Sequence, residues 1–266
     1  MTTRLLRLLF CWLLSGYIAA WAAPLETSFF SWEIPDRWTV ERDLQGQWEI
    51  TAPGPNPLVA LVNVGYLTTT PELYLKGSTA IWATQGLLEP MEPLANRRPN
   101  QAWFLVKHHP NPGEQPKVTV KWVRWRGPTL VVTSFKVAQS ELESWRPQIQ
   151  QMAENLKLKR PVFEESALRA EVDEVLQAND DTVQTLTDLE TARLDLNVAR
   201  QDWEPFFAAD KPSLYRAYID YLEARYDTVF VIVAGPESGF GPDVVESRMQ
   251  GLINRRDALR RELHGF

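Results

Sequence analysis

The chain has 266 residues, of which 44% are hydrophobic and 23% charged, with a net charge of −6. That length holds one large or two small domains, and the composition is that of a folded protein with a sizeable core. The acidic balance argues against a nucleic-acid binder, and a single cysteine excludes a disulfide framework.

Residues 1–22 read as a signal peptide. Arg4 and Arg7 form a basic start, residues 8–17 an apolar run, and Ala20, Trp21 and Ala22 an A-x-A site with cleavage before Ala23. Pro24 argues against cutting one residue later. Cys11 lies in this segment behind Phe10, where a lipoprotein signal needs a small residue, so lipidation is not expected. The exported chain then has no disulfide, thiol nucleophile or thiolate metal site. A periplasmic location follows, with membrane contact only through the signal segment if it stays uncleaved.

Phe30, Trp32 and Ile34 alternate with Ser31 and Glu33, which predicts a strand with one large apolar face. Pro35 and Asp36 supply a turn, and Trp38 opens the next apolar set. This F-x-W-x-I-P-x-x-W opening resembles the start of the PsbP/DcrB-like domains of secreted and lumenal proteins. The resemblance covers about residues 28–158. It implies an α+β fold in which an antiparallel sheet is flanked by helices, a PsbP-like sandwich spanning residues 24–158.

The rest of that region fits strand, helix, strand, helix. Residues 38–42 and 47–51 read as a hairpin around the turn at 43–46. Residues 53–57 form a Pro/Gly loop, and the near-continuous apolar run 58–64 predicts a central strand covered on both faces. Thr70 and Pro71 start a helix that aims Tyr74, Ile81, Trp82 and Leu88 at the sheet, with Gly77 and Ser78 allowing close approach. Residues 90–99 read as irregular. Three strands follow at 102–107, 118–126 and 129–137. Ser140 and Glu143 form a capping box before a helix carrying Leu142, Trp145, Ile149, Met152 and Leu156, with Pro147 in its first two turns.

Residues 157–161 mark a boundary. Residues 161–266 hold 21 acidic and 11 basic residues, a net of −10, against +4 for the first 160. Such asymmetry predicts two modules with different surfaces, the second an acidic, mainly α-helical domain at 161–266. Residues 168–203 follow broken heptad spacing. A break at 210–213 precedes a second helix holding Leu214, Tyr218, Tyr221 and Leu222. Periodicity leaves residues 228–234 open between strand and helix. A flexible loop at 235–242 leads to a last helix that ends at Gly265.

No catalytic, cofactor or metal site emerges. The three histidines are His108, His109 and His264. The adjacent pair points to opposite sides of a strand, which does not suit a zinc site. No G-x-S-x-G elbow, Walker loop or dinucleotide fingerprint occurs. Asn179, Asp180, Asp181 and Asp188 lack the spacing of a calcium loop and read as a solvated acidic face. The most distinctive candidate runs from Lys121 to Arg126. Alternation puts Val118, Val120, Trp122 and Arg124 on one face and Thr119, Lys121, Val123 and Trp125 on the other. Cations among aromatics can form a docking face, so Lys121, Trp125, Arg126, His108 and His109 are the partner-binding candidates. The competing reading, a packed sheet with charges at its rim, is the more usual role of strand aromatics.

Together these features predict an exported, non-enzymatic accessory protein that docks a protein partner in the cell envelope. A narrower form is an immunity or inhibitor protein against a secreted toxin. The rival class is a carboxylate-dependent envelope hydrolase.

Overall fold

The structure, a computed structural model, describes residues 24–92, 100–110, 112–179, 181–207 and 209–265. The signal segment, its cleavage site and Cys11 lie outside the described residues, as does Asp180. Ten strands and six α-helices are present among the described residues.

Alternating apolar residues build a seven-stranded antiparallel sheet in the order β3-β4-β5-β9-β8-β7-β6. Its strands are β3 (Thr39–Arg42), β4 (Trp48–Thr51), β5 (Val59–Tyr66), β6 (Gly86–Pro90), β7 (Gln101–His108), β8 (Lys117–Arg126) and β9 (Thr129–Ala138). One face presents Ile50, Ala60, Val62, Val120, Trp122 and Phe135, all at most 2% exposed. Onto it pack α2 (Leu142–Asn155) and a small sheet of β1 (Leu25–Glu26), β2 (Phe30–Trp32) and β10 (Lys157–Leu158). The buried Trp32 indole donates to the Met152 carbonyl at 2.7 Å and so ties the small sheet to α2. On the opposite face α1 (Pro71–Ala83) sets Trp82 against Val106, Val123 and Leu130. This is the α+β sandwich, a sheet with helices on both sides.

The opening strand β2 pairs with β1 and β10 in the small sheet. Several local expectations need correction. The central strand β5 is fully covered on one face only; Val59, Leu61 and Asn63 on the other are half-buried, because α1 sits over β7, β8 and β9. Ile81 is 63% exposed and does not face the sheet. Leu88, expected on the helix, and Pro90, the first residue of the stretch expected to be irregular, belong to an added strand, β6, in which Pro90 pairs with Phe104. There is no capping box at Ser140: a 3-10 turn (Gln139–Glu141) leads into α2 without a side-chain cap. Pro147 does lie inside α2.

Among the described residues the regular elements of the second module, residues 161–266, are all helices. The module comprises α3 (Glu165–Ala178), α4 (Leu189–Trp203), α5 (Ser213–Ala234) and α6 (Pro242–His264). Residues 228–234 form the last turns of α5, where Val229 and Val231 are buried. Apolar stripes carrying Leu168, Val172, Leu196, Tyr221 and Leu252 close a helical core. Asp181 is not on a solvated face. Its fully buried carboxylate accepts from Tyr221 Oη at 3.0 Å, with Arg225 at 3.6 Å and Arg256 at 3.7 Å. Asp188 instead caps α4 by accepting from the Thr191 amide at 2.9 Å.

The bundle packs directly on the sandwich. Phe206, in the turn after α4, belongs to both cores and lies 4.6 Å from Phe29, ring centre to ring centre. The β3–β4 turn clasps α4: Asn197 Nδ2 donates to the Leu44 carbonyl at 2.6 Å. Gly46, at φ +73°, comes so close that an added Cβ would stand 2.5 Å from the Asn197 backbone.

Candidate functional site

The structure divides the residues singled out on β8 and β7. Lys121 points toward α1, where its Nζ donates to Ser134 Oγ at 2.9 Å and lies 5.4 Å from the centre of the Trp82 ring. Burial, with Lys136 adding to it, pulls its amine down to about 8. Trp125 is half-buried in the same cluster. His108 Nε2 is 2.7 Å from Thr119 Oγ1, and burial lowers its imidazole pKa. His109 is exposed just beyond β7. Arg126 lies on the other side of the sheet and donates to the Leu158 carbonyl at 2.8 Å. Alternation thus separates Arg126 from Lys121 and Trp125.

A different site lies where the two modules meet. A cleft of about 320 Å³ is lined by the turn after β1, by Arg42 and Trp48 of the β3–β4 hairpin, and by Glu171, Asp202, Trp203 and Phe206 of the bundle. Local chemistry builds each wall. Thr27 Oγ1 accepts from the amides of Phe29 and Phe30 at 3.1 and 3.0 Å, which turns the chain and presents Phe29 to the bundle. Arg42 and Trp48 are directly paired across the hairpin, so the guanidinium stacks on the indole, 3.7 Å from the ring centre. The same guanidinium donates to the Gly46 carbonyl and to Asp202 Oδ1.

Two carboxyls in this cleft are raised. Burial lifts Glu171, which accepts from Trp203 Nε1 at 2.9 Å and Tyr218 Oη at 3.0 Å; these bonds only partly offset it. Burial likewise lifts Asp202 against the pull of Arg42. At the exposed mouth Glu26 is held below the usual carboxylate range by its hydrogen bond from Lys159, then by that from Ser31. The cleft therefore combines aromatic surface, one half-covered cation and fixed acceptor oxygens. Such a lining at a domain junction suits recognition of polar and aromatic protein side chains. Sequence reading missed it because Arg42 and Asp202 are 160 positions apart. The hairpin was readable, but a turn at 43–46 would pair Arg42 with Gln47; the observed turn is one residue longer and sets Arg42 opposite Trp48.

Among the described residues no helix is long and apolar enough to cross a membrane. No family model matches the chain, and no curated protein matches it. Among solved structures the chain is similar to the solution structure of cyanobacterial PsbP (CyanoP) from Synechocystis sp. PCC 6803. That match has 14% identity and a TM-score of 0.36, covering 54% of this chain and 96% of the other. It is also similar to a crystal structure from Bacteroides thetaiotaomicron VPI-5482, with 12% identity and a TM-score of 0.34, covering 88% of this chain and 98% of the other. The class the fold defines is an α+β sandwich carrying a helical bundle. Its sandwich is an antiparallel sheet flanked by helices.

Proposed function

We propose that the chain is an exported, non-enzymatic accessory protein that docks a protein partner in the cell envelope through the cleft between its modules. The observation that carries this reading is the composition of that cleft. Phe29, Trp48, Trp203 and Phe206 meet Arg42, Glu171 and Asp202 there, with both modules contributing. Aromatic residues and arginine are the side chains enriched where protein interfaces bind most strongly. The basic and apolar pattern of residues 1–22 supports export. Affinity capture with the full chain from a native envelope fraction tests the proposal. One dominant protein partner is expected, and a capture that returns none contradicts it.

A rival reading, a carboxylate-dependent envelope hydrolase, draws on the placement of Glu171 and Asp202 in one cleft with both carboxyls raised. Against it, both acids are engaged by Trp203, Tyr218 and Arg42. Hydrolysis of cell-wall glycan by the full chain, lost in Glu171→Gln, would decide for the enzyme.

A further inference from the structure

The α5–α6 hairpin carries an open groove of about 310 Å³. Thr228 and Leu252 are buried beneath it, while Ala224, Ser247 and Gly251 line it with small side chains. A Cβ added at Gly251 would meet nothing within 4 Å. The two rims have opposite sign. Asp220, Glu223 and Asp227 line the α5 side, and Arg248 and Arg255 the α6 side. Arg255 reaches Asp220 at 3.5 Å and Arg248 reaches Asp227 at 3.7 Å. These four side chains are 51–58% exposed, so the pairs are loose and their charges remain open to a further partner. About one helical turn beyond the Asp227–Arg248 level stand Phe230 and Val244, 45% and 37% exposed.

We propose that this groove is a self-association face, on which the α5–α6 hairpin of a second copy sits about a two-fold axis parallel to the helices. The charge pattern selects both the partner and the axis. Rotation about that axis lays the acidic α5 of each copy over the basic α6 of the other. Heights along the helices are kept, so Asp220 of one copy meets Arg255 of the other, and Asp227 meets Arg248, each contact occurring twice. The result is two squares of alternating charge. A two-fold axis across the helices would set acid on acid. A partner of uniform charge would meet repulsion along one rim. Because α5 and α6 run in opposite directions, the four helices alternate in direction, as in an antiparallel bundle. The small residues allow close approach, and Phe230 and Val244 add apolar contact at one end.

Sedimentation equilibrium of the purified full chain tests this. The expected result is a monomer–dimer equilibrium that weakens with salt. Arg255→Glu puts acid on acid at both symmetric positions and is expected to weaken the dimer about tenfold or more. Asp220→Arg combined with Arg255→Asp exchanges the rims at that level and is expected to restore it. Gly251→Trp fills the groove without entering the core and is expected to abolish the dimer, with far-UV circular dichroism unchanged. A monomer at every concentration overturns the proposal. So does a dimer indifferent to Arg255→Glu and Gly251→Trp, or one that the exchanged pair fails to restore.

Discussion

Glu171 shows how one half-buried carboxyl sets a pH dependence. Its pKa is raised in the fold, so its favourable contribution is complete below the ordinary carboxylate range and is lost as pH rises through the raised value. Ionising the group in the fold therefore costs stability. Glutamine fits the same bonds, accepting from Trp203 and donating to Tyr218 Oη. Glu171→Gln is therefore expected to stabilise the protein at pH 7 by up to about 1 kcal/mol, with the gain disappearing in acid. Urea titrations at the two pH values measure this, and a loss of stability at pH 7 would contradict it. Arg42 acts in the opposite sense. Arg42→Ala removes the stacking on Trp48 and leaves Asp202 and the Gly46 carbonyl without their donor. A cost of about 1–3 kcal/mol in the same titration is expected.

At the scale of elements, the β3–β4 hairpin has two jobs: it forms the sheet edge and it grips α4. Gly46→Ala puts a side chain at positive φ and against the Asn197 backbone. The hairpin must then lift from α4, and a cost of about 2–4 kcal/mol is expected in urea melts. A change of less than half a kcal/mol, well under about 1 kcal/mol, would show that the grip is loose. The strands of the hairpin and β7, β8 and β9 are written in the sequence, as are the near-continuous apolar run of β5 and the apolar stripes of the helices. Other elements are not local. The pairing of β2 with β10 joins Phe30 to Leu158, and nothing near either residue announces the other. The strand β6 was hidden because Leu88 read as part of the helix, which in fact ends at Ala83, and Pro90 as the start of a loop. Its Gly86 is required by crowding, since a Cβ there would stand 2.1 Å from the Lys107 carbonyl oxygen. The candidate site was legible only in part. Composition pointed to β8, but sheet alternation divides that set, and the junction cleft draws on residues far apart in the chain.

For the whole molecule, the sandwich and the bundle share Phe206 and are joined by Arg42 and Asp202. Removing residues 161–266 would uncover Phe29, now 3% exposed, so truncation disturbs the sandwich as well as deleting the bundle. Unfolding is expected as a single transition, with tryptophan fluorescence and far-UV circular dichroism coinciding. Separate transitions would show modules that fold independently. The most direct test of docking at the junction is capture from a native envelope fraction by three forms of the full chain side by side. The wild type and Arg255→Glu, which alters a residue of the α5–α6 groove that does not line the cleft, are predicted to retain the same partner. Ala167→Trp, which fills the cleft from the exposed side of α3, is predicted to lose it. A partner held equally by Ala167→Trp would contradict the assignment of the cleft as the docking site.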